Sequence, residues 1–143
     1  MNTLLFFVIN FVVAFISDIA LNDLSTHYGY LPSLKPYYKN ESILKMGLYA
    51  AIPISVALII TIFLYYAIFR ALLPNNYTQL FYFCIIAFVI GYILDVAIDK
   101  LKIFGSSLDQ YYKEYGAGFW GAMAYLFSII VSYFIEKIIY ILV

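Results

Sequence analysis

The sequence predicts an all-α polytopic membrane protein, with four transmembrane helices built from a tandem two-helix repeat and a pseudo-two-fold axis along the membrane normal. Three observations predict it. Of 143 residues, 66% are hydrophobic and only 11% charged, with a mean hydropathy of +0.95, far outside the composition of a soluble domain. Four stretches, about 4–24, 44–70, 78–101 and 117–142, each supply the roughly 20 apolar residues that cross about 30 Å of hydrocarbon. Finally, Phe11–Leu24 (FVVAFISDIALNDL) recurs as Phe88–Leu101 (FVIGYILDVAIDKL), with six identities and six close replacements at an offset of 77.

The first span follows Met1, Asn2 and Thr3 directly, with no cationic n-region and no small-residue cleavage motif. This pattern predicts a retained span, not a signal peptide. Long apolar runs without period-two alternation exclude a barrel, leaving helices as the elements that satisfy the backbone in lipid. Between the first and second spans, Ser25–Leu44 is polar and carries Pro32 and Pro36, which oppose helix continuation, while Asn40 is placed to cap the second helix. Pro53 predicts a kink in the second span, its freed carbonyl satisfied by a neighbour such as Ser55 or by water. A tight turn, Leu72–Tyr77, leads into the third span. The next connection mirrors the first: Ser33–Lys39 (SLKPYYK) matches Ser107–Lys113 (SLDQYYK) at five of seven positions, at an offset of 74. The repeat therefore covers a whole helix-loop-helix unit, residues 1–73 and again 74–143. An even number of spans per unit makes the repeats parallel.

Charge orients the chain. The long loops and their flanks hold Lys35, Lys39, Lys45, Lys100, Lys102 and Lys113, against Arg70 and Lys137 on the other side. The positive-inside rule predicts cytosolic long loops, with both termini opposite. Eight basic residues balance eight acidic ones, so nucleic acid is excluded as a partner and the lipid bilayer is the partner the composition demands. The sequons at Asn40 and Asn76 fall on the cytosolic face and against a membrane surface, and neither is expected to carry sugar. Tyr37, Tyr38, Tyr111 and Tyr112 read as interfacial anchors. The lone Cys84 forms neither an intrachain disulfide nor a thiolate cluster and reads as a small apolar side chain.

Residues four apart share a helix face, and two faces stand out: Asn10, Ala14, Asp18 and Asn22 in the first span, and Ala87, Gly91, Asp95 and Asp99 in the third. Small residues permit close helix approach and polar ones seek partners inside a bundle. This predicts that Asn10, Ala14, Ala87 and Gly91 pack the first helix against the third. Asp18 and Asp95 would then face each other at the repeat axis. Intramembrane carboxylates mark ion or proton paths, and Asp18, Asp95, Asn22 and Asp99 are the candidates. The alternative is that both aspartates lie in the last turns of their helices, hydrated or paired with Lys100 or Lys102. Glu136 is the secondary candidate; beside Lys137, it is expected to snorkel to the outer interface. Ala117, Gly121, Ala124, Ser128 and Ser132 are assigned to helix packing.

The sequence does not predict an enzyme. A membrane lipid transferase holding Mg²⁺ on paired aspartates would need an Asp-Gly…Ala-Arg run that is missing, and no Gly-x-Ser-x-Gly or His-Glu-x-x-His motif is present. No cofactor or metal site is predicted. The stretches Ile16–Ser25 (ISDIALNDLS) and Leu34–Asn40 (LKPYYKN) resemble small multi-span proteins of the nucleocytoplasmic large DNA viruses, a likeness that fits the abundance of residues with AT-rich codons. The resemblance implies a place, an endoplasmic-reticulum-derived membrane or the internal membrane of a virion. Two functions follow as expectations: a structural or assembly protein whose loops meet capsid or other membrane proteins, or a small cation or proton channel or carrier, in a homo-oligomer if one copy is too narrow.

Overall fold

The structure is a computed structural model that describes residues 2–28, 43–103, 112–113 and 116–143. It is all-helical: α1 (Thr3–Tyr28), α2 (Ile43–Phe69), α3 (Tyr77–Leu101) and α4 (Phe119–Leu142). Each is long and apolar enough to cross a membrane. The first helix runs four residues past the expected boundary, because no Gly or Pro interrupts the chain before Gly29. The second passes through Pro53 without ending. Ser55 does not serve the carbonyl that Pro53 frees, since its buried Oγ bonds none of the described residues.

Local chemistry sets the helix ends. Asn2 caps α1, its Oδ1 accepting the Leu5 N–H at 3.0 Å. At α3 the cap is reciprocal: Asn76 Oδ1 accepts from Gln79 N–H at 2.9 Å, and Gln79 Oε1 accepts from Asn75 N–H at 2.8 Å. Lys102 closes α3 in the left-handed region, φ 52°, with Ile103 N–H returning to Ile98 O. The cap residue of α4, Gly118, has no side chain to satisfy its first amides.

Each helix packs against two neighbours, in the cyclic order α1, α2, α3, α4 and back to α1. Thus α1 and α3 stand at opposite corners. The expected packing of one on the other is not among the main helix contacts, because side chains of α2 and α4, Thr61 and Tyr125 among them, meet between those corners. Tyr125 of α4 is 1% exposed, and Gly91 of α3 is where its ring rests: a Cβ there would lie 3.0 Å from Tyr125 Cδ2 and 3.3 Å from Ala122 Cα. On the other flank Gly47 of α2 admits the Phe15 ring of α1, which a Cβ would meet at 2.6 Å. Small residues on α2 and α3 therefore receive a ring or backbone from an adjacent helix.

The core comprises Phe6, Leu58, Tyr65, Phe83, Ala87, Tyr125, Ile129 and Tyr133. Tyr65 and Phe83 meet edge-on at 5.2 Å between centroids, joining α2 to α3. The outward faces are apolar as well: Val8, Val12, Ile16, Ile59, Phe63, Ile85, Val89, Phe127 and Ile130 are all exposed. An apolar surface of this extent is stable in contact with lipid and costly in water.

Candidate functional site

The polar groups of the interior gather on α4. Its inward residues Gly121, Tyr125, Ser128, Ser132 and Glu136 recur at steps of three and four, one stripe of a 3.6-residue helix. From Gly118 to Glu136 the stripe runs about 27 Å at roughly 1.5 Å per residue, close to the thickness of the hydrocarbon layer.

At the start of α4 lies Asp95 of α3. Its Oδ2 accepts the Gly118 N–H at 2.7 Å and its Oδ1 accepts the Tyr112 hydroxyl at 3.1 Å. A carboxylate at a helix N-terminus satisfies an orphan amide and meets the positive end of the helix dipole. Asp95 thus supplies across helices the cap that Gly118 lacks. Two glycines make room for it. Gly118, at φ 109°, faces the Tyr92 ring, which a Cβ would meet at 2.6 Å; at Gly121 a Cβ would collide with the Asp95 carboxyl group and stand 2.7 Å from its Cβ. Tyr112, expected only to anchor at the interface, spends its hydroxyl on this carboxylate.

One helical turn further in, the Tyr125 hydroxyl donates to Thr61 Oγ1 at 2.8 Å, and Thr61 donates to Ala57 O at 2.7 Å. This bond ties α4 to α2 across the centre. Next, Ser128 and Ser132 contact the Asn10 side chain of α1 at 2.7 and 3.4 Å, Ser128 also reaches Asn10 O at 3.3 Å, and Ser132 donates to Ser128 O at 2.6 Å. Asn10, Ser128 and Ser132 are all buried. At the far end Glu136 is fully buried, with Oε1 accepting the Asn2 N–H at 2.9 Å. This corrects the expectation that Glu136 snorkels. It is Lys137 that lies outward, its ammonium 4.7 Å from the ring centroids of both Tyr77 and Tyr133.

The candidates Asp18, Asp95 and Asp99 are not assembled into one site. Asp18 is half-buried on α1 and Asp95 is at the opposite corner; Asp99, half-buried, is one turn beyond Asp95 on α3. The Asn22 side chain and residues Tyr37, Tyr38 and Tyr111 lie outside the described residues. Asn10 and Gly91 both pack on α4, from its two sides, while Ala14 and Ala87 are buried in the core. Ser128 and Ser132, assigned to packing, are bonding partners of α1. The missed signal is their register with Glu136, which extends a serine stripe to an acid. Among the described residues no group of three or more His, Cys, Asp or Glu could hold a metal ion. No family model, no curated protein and no solved structure matches the chain.

Proposed function

We propose that this chain is a structural or assembly protein of a membrane, a lipid-embedded scaffold that acts through its loops and not through its interior. The observation that carries the reading is Tyr125. Its buried ring and its bond to Thr61 lie inside the bundle between Gly91 of α3 and α2, where a conducting path through a single copy would have to pass. Asp95 supports the same reading, because both of its oxygens are engaged, Oδ2 by the Gly118 amide at the start of α4 and Oδ1 by the Tyr112 hydroxyl. A carboxylate so engaged joins helices at little cost in lipid, whereas one that conducts must leave oxygens for its ion.

The finer architecture proposed is two parallel repeats about an axis along the membrane normal. The cyclic helix order supports it, as do Gly47 and Gly121, which are 74 apart and each admit a side chain of the preceding helix of their own unit. In this arrangement α2 and α4 approach the axis. The long loops are proposed to face the cytosol, by the lysine bias, and to contact capsid or other membrane proteins. The setting, an endoplasmic-reticulum-derived or virion internal membrane, rests on the resemblance of Ile16–Ser25 and Leu34–Asn40 alone. Catalysis is not part of the proposal.

Flux measurement on the purified chain in liposomes tests the reading. The scaffold predicts no sodium, potassium or proton current above that of empty vesicles. A robust current abolished by Asp18→Asn with Asp95→Asn in a folded protein would replace it with the channel.

A further inference from the structure

Asp95 is a titratable group set in a joint. Its two oxygens hold donors that lie 17 and 23 residues further along the chain, the Tyr112 hydroxyl at 3.1 Å and the Gly118 amide at 2.7 Å. Between those donors the backbone turns on glycine. Tyr112 O accepts the Gly116 N–H at 2.9 Å, closing one turn, and Gly116 and Gly118 then take φ values of 79° and 109°. Without a Cβ, glycine enters such conformations and leaves them at little steric cost.

Charge decides how firmly the joint is shut. An ionised carboxylate gives both donors a charge-assisted bond and meets the positive end of the α4 dipole. A proton on Asp95 makes both bonds neutral, about half as strong, and cancels the attraction of the dipole. The closed joint therefore binds the ionised form and is lost as pH falls.

The groups around Asp95 tune that proton. On α3 the Asp99 carboxylate lies one turn away, a like charge at i+4 that acts on Asp95. The approach to α4 brings Tyr112 itself and then Lys113, which is exposed. From α4 comes Tyr125, whose hydroxyl is committed to Thr61, and α2 has no titratable residue between Tyr49 and Tyr65.

We propose that Asp95 is a proton-operated latch: ionised, it pins Tyr112 and Gly118 to α3 and fixes the start of α4, and protonated, it releases them. The latch goes beyond the scaffold reading and stands whether or not the loops meet a partner.

The chain carries its own reporter. Trp120, its one tryptophan, stands in the first turn of α4, two residues after Gly118, with its ring 5.4 Å from that of Phe119. Trp120 fluorescence of the purified full-length chain in detergent, titrated from neutral to acid pH, reads the latch. A single reversible transition is expected, with helicity by circular dichroism unchanged. Tyr112→Phe removes a donor to the carboxylate and should move the transition up by about one pH unit, whereas Asp99→Asn removes a like charge and should move it down. Asp95→Asn should abolish the transition and show the acid-form spectrum already at neutral pH. If Asp95→Asn does not fold, the opposite shifts of the Tyr112 and Asp99 variants carry the test. The latch is overturned by the absence of a transition, by one that survives Asp95→Asn, or by one that neither Tyr112→Phe nor Asp99→Asn moves.

Discussion

Gly121→Ala probes the cap that joins α3 to α4. The added methyl group would overlap the Asp95 carboxyl group and stand 2.7 Å from its Cβ, so the carboxylate has to move. Moving it strains or breaks the bonds from Gly118 N–H, 2.7 Å, and from the Tyr112 hydroxyl, 3.1 Å. A hydrogen bond to a charged group is worth about 1.5–3 kcal/mol. Overpacking adds about 1–3 kcal/mol. Against these stands the intrinsic gain of Ala over Gly inside a helix, about 1 kcal/mol. The net expectation is a loss of about 2–4 kcal/mol, read as unfolding of the purified protein by heat or SDS in micelles. The decisive comparison is in an Asp95→Ala background. There the methyl group has no carboxylate to displace, the helix-propensity gain remains, and Gly121→Ala should be neutral or stabilising by up to about 1 kcal/mol. An equal loss in both backgrounds would refute the assignment of Asp95 to the start of α4.

Other substitutions test other parts of the stripe. Tyr125→Phe keeps the ring against Gly91 and removes the bond to Thr61, whose hydroxyl still has Ala57 O; a loss of about 0.5–1.5 kcal/mol in the same unfolding assay is expected. Asn10→Leu removes the carboxamide that Ser128 and Ser132 contact on α1 and should cost about 1–3 kcal/mol, with helicity by circular dichroism unchanged. Gly47→Ala should destabilise by about 1–3 kcal/mol because the Phe15 ring fills its space. At Gly116 a Cβ would meet nothing within 4 Å and only the φ of 79° resists substitution, so Gly116→Ala should cost no more than about 1–2 kcal/mol.

The four spans are legible in the sequence because lipid makes a one-dimensional demand: about 20 consecutive apolar residues, which hydropathy counts directly. The end of α3 at Leu101 is legible for a related reason, since Lys100 and Lys102 cluster where the apolar run stops. Which helices touch is not legible. The spacing of Asn10 and Ala14, or of Gly91 and Asp95, says that a face is buried but not against what, and in a four-helix ring each helix has two neighbours and one diagonal. Both faces meet α4. Asp95 reads as an intramembrane charge because its partner amide, Gly118, carries no sequence signal for accepting a cap from another helix. Glu136 misleads for a similar reason. Beside Lys137 it resembles an interfacial pair, yet neighbours in sequence point about 100° apart on a helix, one inward to Asn2 and one outward to the tyrosine rings.

Disulfide trapping tests the arrangement most directly. In a variant with Cys84→Ser, cysteines at Asn10 and Ser128 replace side chains whose polar atoms lie 2.7 Å apart, within reach of a disulfide after small adjustment. Oxidation in membranes should cross-link Asn10→Cys to Ser128→Cys efficiently and leave Asp18→Cys with Asp95→Cys unlinked. Ready linkage of the aspartate pair, with none between positions 10 and 128, would place α1 against α3 and contradict the account of α4 as the helix that gathers the polar interior.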